Sequence, residues 1–415
     1  MSFKENDYQH HIDPSTAKPD LLSRDPLHDP WRIKPLTVSE FVSLSQDPQI
    51  LSSEQLAYLG LFNVISPTSH NTVQQRLRRE DNSIELWVDR KFVLPASDGK
   101  GRESVVSIGA GMANLVVAGQ VFGLDPQVEL YPIKNEATYP HKPSEDRYTA
   151  LGRVRFTPGA GELLDPLWLQ AMCDRKVVRA EYDESIKLPK ELIDQMHKVA
   201  SLYPHLKLHL IFDKLTLVAL GGFQERADSS VFNWQKFALE LGEWLLSNDS
   251  ASEVGMRGRD FGLNDQAAYR MHKGLLGQLP EDDRLLPDEI AGFARAGNLG
   301  IRSSPAAAVI TVAQDTTQQR IEAGILYEQI ALLLMKEGGF YTSLHGGIVE
   351  VEGLDGLSSI AAVPHHMLKA RLRDLGRRPT VVFRMGKPRN PNDALWPHSV
   401  RPPLAHIALP DEVSR

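Results

Sequence analysis

The sequence predicts an α+β protein in which mixed central sheets are flanked by helices and two similar halves are fused in one chain. Segments of alternating apolar residues, typical of strands, are interspersed with longer segments of helical periodicity. Hydrophobic residues make up 42% of the 415 residues, which is enough for a sizeable core. Two apolar segments, 108–119 and 321–332, share the pattern Ile-x-Ala-Gly and a later alanine at the same spacing. This internal repeat predicts two related helices at the centre of two similar halves.

The first part of the chain consists of an irregular N-terminal arm (1–45) followed by a first half (46–157). The arm is rich in Pro, Asp and His and shows no periodicity. After it, Ser52 and Gln55 resemble a capping box that begins an amphipathic helix. We then expect a small-residue-rich helix over 107–122 and strands over 83–89, 128–133 and 152–157.

The second half (158–405) alternates helices and strands in the same way, and residues 406–415 form a tail. The stretch 248–278 is rich in Gly, Asp and Arg and is predicted to be a loop. The remaining pattern predicts helices over 165–174, 189–200 and 318–336, mostly helical structure over 213–248, and strands over 206–212, 306–312 and 380–386.

Composition excludes several classes of function. The net charge of −7 and the pI near 6.1 are poorly suited to polyanions, so we expect no nucleic-acid partner and no acidic membrane. A single cysteine, Cys173, rules out an intramolecular disulfide and thiolate metal clusters, and it suits a reducing, cytoplasmic compartment. Neither a secretory signal nor an uncharged apolar run of about 18 residues is present, which predicts no membrane-spanning segment.

A polar loop early in the chain is the first candidate site. Pro67 ends the preceding helix because it cannot donate to the helical ladder. The next five residues, Thr68 to Thr72, are all polar, and they include Ser69 and Asn71. Such a loop can offer backbone N–H groups and an amide to the edge of a heteroaromatic ring. The simpler alternative is a helix stop followed by an N-cap.

Clustered cations form the second candidate site. Arg175, Lys176 and Arg179 place three positive charges within five residues, and a loop could direct all three towards a phosphate. Arg401, held between a valine and a proline, could be a further phosphate ligand. A solvated basic turn and an exposed basic tail are the alternative interpretations.

Other sequence motifs give weaker indications of a functional site. Gly109-x-Gly111 resembles part of a dinucleotide fingerprint, but Asn114 stands where the third glycine belongs, and close helix packing also explains these glycines. Neither a His-Glu-x-x-His motif nor a Cys/His cluster occurs, so we expect no metal site. We assign no catalytic side chain, since the sequence contains no Gly-x-Ser-x-Gly motif.

Taken in order, these segments resemble the nitroreductase superfamily, and most closely its long Acg-like branch, which looks like a nitroreductase dimer fused into one chain. Residues 66–72 are similar to the family's Pro-Ser-x-x-Asn-Thr-Gln-Pro-Trp flavin loop, and residues 175–179 to its Arg-Arg-Ser-x-Arg phosphate segment. Helix 321–336, the Phe-Arg-Met-Gly strand and Arg401-Pro402 resemble its closing elements. The resemblance extends over about residues 50–405.

The resemblance implies an FMN cofactor. It assigns flavin contacts in one half and phosphate contacts in the other, with Pro67, Thr68, Ser69 and Asn71 at the flavin and Arg175, Lys176, Arg179 and Arg401 at the phosphate. Two features depart from the family pattern. Residues 73–75, Val-Gln-Gln, or residues 74–76, Gln-Gln-Arg, if the glutamines are aligned, replace the family's Gln-Pro-Trp, and Val177 replaces a serine.

The activity implied by the resemblance is hydride transfer through the flavin N5, from a donor such as NAD(P)H to an electron-poor acceptor such as a nitroaromatic or a quinone. A flavin-binding or sequestering protein without turnover is an alternative, with residues 249–280 as its lid. A flavin-dependent oxidase or dehydrogenase of a metabolite or peptide is another, and a Rossmann-type NAD enzyme built on Gly109 and Gly111 is a fourth. The assembly implied is a monomer with a pseudo-dimeric core, or a homodimer.

Overall fold

The computed structural model describes residues 31, 33–133, 147–354, 356–410 and 413. Most of the predicted N-terminal arm therefore lies outside the described residues, and a short helix lies near the arm's end. The elements of the first part are α1 (Val38–Val42), α2 (Ser53–Val64), β1 (Gln75–Glu80), β2 (Ser83–Asp89), α3 (Arg102–Val121), β3 (Asp125–Leu130) and β4 (Tyr148–Thr157).

The second part contains more helix than the first. Its elements are α4 (Leu167–Asp174), α5 (Lys190–Ala200), β5 (Leu206–Ile211), α6 (Lys214–Phe232), α7 (Gln235–Trp244), β6 (Leu245–Leu246), β7 (Met256–Arg257), α8 (Asp265–Leu275), α9 (Pro287–Arg302), β8 (Ala306–Val312), α10 (Thr317–Gly338), β9 (Tyr341–Leu344), α11 (Gly347–Glu350), α12 (Val363–Leu372) and β10 (Arg378–Gly386).

Two four-stranded sheets, one in each part of the chain, confirm the α+β class. Their strand orders are β1-β2-β4-β3 and β5-β8-β10-β9. The prediction of mixed sheets is wrong in one respect, because every strand pairing within these two sheets is antiparallel. Alternating apolar residues reveal a half-buried strand but carry no information about the direction of its neighbour.

Helix α2 begins and ends where the sequence predicts. The Ser52 side chain accepts a hydrogen bond from the Gln55 backbone N–H, and the Gln55 side chain accepts one from the Ser52 backbone N–H. This reciprocal capping box satisfies two N–H groups that have no partner inside the helix. The helix ends two residues before Ser66-Pro67, so the polar loop leaves directly from its C-terminus.

Helices α3 and α10 contain the two segments that share Ile-x-Ala-Gly, and they pack against each other at the centre of the molecule. A Cβ on Gly109 would lie 2.1 Å from the carbonyl oxygen of Ile321, and one on Gly324 would lie 2.0 Å from that of Val106. Gly109 and Gly324, one in each segment, therefore let the two helix backbones touch. Helix α3 is long and apolar enough to cross a membrane, but 83% of its apolar stretch is buried, so its composition follows from this core position.

One local prediction is wrong, one strand was not predicted, and the Rossmann alternative loses its support. Gly109-x-Gly111 lies inside α3, which begins at Arg102, so no strand–turn–helix unit supports the Rossmann interpretation. The predicted loop over 248–278 contains α8. Strand β1 was not predicted because Leu77 is its only apolar residue; the Arg76 side chain in this strand pairs with buried Asp89 at 3.0 Å.

We expect Gly109→Ala to lower the free energy of unfolding by about 1–3 kcal/mol or more, because the added methyl group overpacks the contact with α10. Gly222→Ala is the matched control, since a Cβ at this position in α6 meets no atom within 4 Å. It should be neutral or stabilising by about 0.5–1 kcal/mol. Urea denaturation of the three proteins measures both effects, and equal stability of Gly109→Ala and wild type would contradict the packing argument.

Candidate functional site

A cavity of about 1810 Å³ is lined by residues from both parts of the chain. Typical ligand pockets measure about 300–1,000 Å³, so this cavity has room for a large cofactor together with a second small molecule. The structure brings the polar loop and the basic segments together at this cavity, and every site residue predicted from the sequence lines it: Pro67, Thr68, Ser69, Asn71, Arg175, Lys176, Arg179 and Arg401.

The polar loop adopts a backbone conformation that is unusual for its residues. His70, Asn71 and Val73 have φ values of 46°, 55° and 49°, in the left-handed region that side chains other than glycine rarely occupy. Ser69 is held on both sides, since its hydroxyl donates to Glu103 Oε2 at 2.5 Å and its N–H donates to the Ser107 hydroxyl at 3.2 Å. Strained conformations of this kind persist where surrounding contacts determine them, and they are concentrated at functional sites.

Asn71 joins three distant parts of the chain. Its side-chain Nδ2 donates to the carbonyl oxygens of Gly255 at 2.7 Å and Val400 at 2.8 Å, and its own carbonyl accepts from the Gly255 N–H at 2.8 Å. The Oδ1 atom is buried and has no partner among the described residues. The part of Asn71 left for a ligand is therefore a hydrogen-bond acceptor.

Arg175 and Arg401 bind the C-terminal end of α2. Arg175 Nη2 donates to the Ile65 carbonyl at 3.0 Å, and Arg401 donates through Nε to Val64 at 3.0 Å and through Nη2 to Ser66 at 3.1 Å. These carbonyls have no partner within the helix and lie at the negative end of its dipole. Both arginines thus position the polar loop, a role that sequence reasoning did not assign to them.

Arg175 also faces a buried carboxyl group on α10. Its Nε lies 2.9 Å from Glu328 Oε1, and Glu328 is fully buried. Burial raises the pKa of Glu328 to about 7, an effect that Arg175 and then Arg401 oppose. Arg175 is therefore the one phosphate candidate whose charge is already matched by a carboxyl group within the described chain.

The other three predicted cations have no ion pair within the described ranges. Burial lowers the pKa of Lys176 to about 8 and of Arg179 to about 10. Burial, and then the charge of Arg175, lowers the pKa of Arg401 to about 9. Nearby Asp260 favours the charged forms of both arginines, but it forms no ion pair with either. Enclosed cations without a counter-ion are unfavourable, so this side of the cavity is suited to an anionic ligand.

Arg179 is the cation with the greatest freedom to bind a ligand. Lys176 donates to the Trp396 carbonyl at 2.5 Å, whereas the guanidinium of Arg179 only lies over the Phe261 ring at 4.5 Å. No hydrogen bond to the Arg179 side chain occurs in the described part of the chain. Arg179 is exposed, and it lines the cavity.

Two histidines beside Arg179 were missed by sequence reasoning. Burial and then Arg179 lower the pKa of His70 to about 4, and burial, Arg384 and Arg179 lower that of His345 well below its ordinary value. Both imidazoles are therefore neutral at physiological pH. His70 Nδ1 and His345 Nε2 are buried without partners among the described residues. A His-Gly-Gly sequence directly after a strand, at 345–347, was the signal that could have indicated this position.

Fold and site together define an α+β protein with an enclosed, cation-lined ligand cavity assembled from two parts of one chain. No family model matches the sequence. A 71-residue segment is 34% identical to the putative NAD(P)H nitroreductase acg of Mycobacterium tuberculosis, in strains CDC 1551 and H37Rv, covering 17% of this chain and 22% of each relative. The chain thus matches about a fifth of the length of these curated relatives. The match confirms the resemblance to the nitroreductase superfamily, and the fused Acg-like branch is consistent with it.

Two solved structures show a weaker likeness. The FMN-dependent nitroreductase NfnB of Mycobacterium smegmatis in complex with NADPH is 14% identical, with 60% of this chain and 98% of that chain covered at a TM-score of 0.34. An FMN-dependent nitroreductase from Clostridium difficile R20291 is 14% identical, with 52% and 84% covered at a TM-score of 0.27.

The lowered pKa of Lys176 predicts a specific pH dependence of stability in the ligand-free protein. Between about pH 8 and the unfolded-state pKa of about 10.4, the unfolded chain binds a proton that the folded chain has released. The contribution of Lys176 to the free energy of unfolding therefore rises with pH over this window, by an amount on the order of 1 kcal/mol.

Lys176→Met removes this contribution. Below pH 8 the free energy of unfolding of the variant should exceed that of wild type by the largest amount. This difference should shrink towards pH 10. Denaturation curves at a series of pH values measure it, with Lys198→Met, an exposed lysine on α5, as the control. Parallel pH profiles of wild type and Lys176→Met would show that Lys176 keeps its charge throughout.

Proposed function

We propose that this chain is an FMN-binding oxidoreductase of the nitroreductase type. The observation that carries this proposal is the meeting, at one cavity, of the polar loop around Asn71 with three cations that have no ion pair in the described chain. The matched relatives are named as NAD(P)H nitroreductases, and the names of the solved structures include FMN and NADPH. These names support the same cofactor and the same type of donor here.

The residues present fit the chemical character of FMN, which combines a flat heteroaromatic ring with a phosphate dianion. Lys176 and Arg401 would hold the phosphate, since both are enclosed cations with unmatched charge. Pro67, Thr68, Ser69 and Asn71 would contact the ring from the loop, where buried Asn71 Oδ1 offers an acceptor to a ring N–H. When bound, FMN would supply hydride transfer from a nicotinamide to an electron-poor acceptor.

The protein's own groups have separate tasks in this scheme. Arg179 would compensate negative charge on the ring, because it has no hydrogen-bond partner of its own in the described chain. Glu103 and Ser107 keep Ser69 oriented through the two hydrogen bonds of that residue. His70 and His345 stay neutral and add no further positive charge. The contacts of Asn71 with Gly255 and Val400 hold the loop closed against these two segments.

That same closure favours a second candidate, a flavin-binding protein without turnover. The segment 249–280, which carries Gly255, is bound to the polar loop through both the backbone and the side chain of Asn71. A lid held in this way would exclude a nicotinamide while retaining the cofactor.

A visible absorption spectrum and an anaerobic titration test these proposals. The purified protein should be yellow, and heat should release FMN rather than FAD. Bleaching by NADH or NADPH in the absence of oxygen supports the oxidoreductase, whereas a bound flavin that neither donor reduces supports the second candidate. A protein that neither retains FMN on purification nor binds added FMN refutes both.

We also propose that one chain forms a complete site, because both lining segments come from the same chain. A monomer and a homodimer both fit this arrangement. A cytoplasmic location remains part of the proposal on the basis of cysteine content alone.

We expect Arg179→Ala to weaken FMN binding about 10- to 100-fold, because charge-assisted hydrogen bonds contribute about 1.5–3 kcal/mol. Isothermal titration of the flavin-free protein with FMN measures the change. Arg295→Ala is the matched control, since Arg295 is also exposed and lines the same cavity but is paired with Asp288 at 3.0 Å. Equal losses in the two variants would show that Arg179 has no specific role.

A further inference from the structure

Part of the cavity wall is acidic, and it lies outside the segments assigned to the cofactor. We call Glu103 on α3, Asp228 on α6 and Glu350 on α11 the acidic wall, and all three line the cavity. Within the described residues, Glu103 and Asp228 have no cationic partner. The Ser69 hydroxyl donates to Glu103, and Gln224 Nε2 donates to Asp228 at 2.8 Å.

Two consecutive glycines make room for the first two carboxyl groups. A Cβ on Gly346 would lie 1.8 Å from Glu103 Oε1, and a Cβ on Gly347 would lie 2.2 Å from Asp228 Oδ1. Glu103 and Asp228 therefore approach the same short piece of backbone, from α3 and α6 respectively. Any side chain at 346 or 347 would displace them, so the glycine pair is what permits two carboxyl groups here.

Unpartnered polar atoms at the same place are suited to a ligand that donates hydrogen bonds. Glu350 is 3% exposed, and its Oε1 has no partner, while its Oε2 faces Arg102 Nη1 at 3.4 Å. His345, next to the glycine pair, is 8% exposed, and its neutral ring leaves Nε2 without a partner. Both residues line the cavity. Buried polar atoms are rarely left unsatisfied, and a ligand N–H group would supply the missing donor.

An aromatic surface adjoins the acidic wall. Phe232 follows Asp228 by four residues on α6, so the two side chains lie on the same face of the helix. The Phe232 ring packs against Phe237 and Phe293, each with ring centroids 5.3 Å apart, and all three rings line the cavity. This surface can bury an apolar group and can also attract a cation through the ring faces.

We infer that the acidic wall binds the protonated amine of an organic substrate whose apolar or aromatic body packs on Phe232 and its neighbours. The inference names the substrate class of the proposed flavin site and rests on that proposal. It follows from two carboxyl groups without counter-ions, unpartnered buried polar atoms beside them and an adjoining apolar surface.

The state of the carboxyl groups agrees with such a ligand. Burial raises the pKa of Glu103 and of Asp228 to about 7, so neither group is stabilised as a carboxylate by the protein alone. An ammonium group bound between them would supply the positive charge that the described chain does not provide.

Isothermal titration with 2-phenylethylammonium tests the inference. The comparison ligands are 2-phenylethanol, which is neutral, and 3-phenylpropanoate, which is anionic. The titrations are run at about pH 8.5, above the pKa of both carboxyl groups and below that of an alkylamine. The ammonium probe should bind at least tenfold more tightly than the alcohol. With inorganic phosphate added to occupy Lys176, Arg179 and Arg401 on the other side of the cavity, the carboxylate probe should bind most weakly.

Asp228→Asn should weaken binding of the ammonium probe by tenfold or more and leave binding of the alcohol unchanged. Asp288→Asn is the matched control, since Asp288 also lines the cavity but is already paired with Arg295. Equal binding of the three probes to wild type overturns the inference, and this result does not depend on whether a variant folds. Unchanged ammonium affinity in a folded Asp228→Asn variant overturns it as well.

Flavin content, recorded on the same samples, separates the two proposals. Selective binding of the ammonium probe by a protein that takes up no FMN would support the amine site and refute the proposed function. A yellow protein that does not select the ammonium probe would support the flavin proposal and refute the amine site.

Discussion

The contact between α3 and α10 is the constraint on which the rest of the structure depends. Because Gly109 and Gly324 have no side chains, the two helix backbones meet directly, with no room for a Cβ between them. Each helix then carries one support of the site: α3 presents Glu103 and Ser107 to the polar loop, and α10 presents Glu328 to Arg175. The cavity therefore exists where it does because two central helices hold the two parts of the chain at a fixed separation.

The charges around the cavity are separated rather than neutralised. Lys176, Arg179 and Arg401 line the cavity without carboxylate partners in the described chain, and Glu103 and Asp228 line it without cationic ones. A protein selected only for stability would gain by pairing such groups or replacing them with apolar residues. Their persistence is understandable if ligands of both signs complete the site, an anionic cofactor at one wall and a cationic molecule at the other.

Features that depend on residues close in sequence could be predicted from the sequence. Features that depend on contacts between distant residues could not. Three features depend on neighbours within a few residues, and the structure contains each of them. They are the capping box at Ser52, the end of the helix before Pro67, and the repeated helical pattern around Gly109 and Gly324. Sheet direction and strand β1 depend on partners distant in sequence, such as Asp89 for Arg76. The acidic wall had no signal for the same reason, since its three carboxyl groups come from three separate helices.

The hydrogen bonds by which Asn71 joins the polar loop to residues 255 and 400 have a kinetic consequence. If a molecule enters through this closure, three hydrogen bonds must break together, so entry and departure share one opening event. The Gly255 amide proton, which is bonded to the Asn71 carbonyl, is protected by that same closure. If entry uses this route, exchange of that proton with solvent deuterium reports the free energy of opening, and the opening rate limits how fast anything bound inside can be replaced.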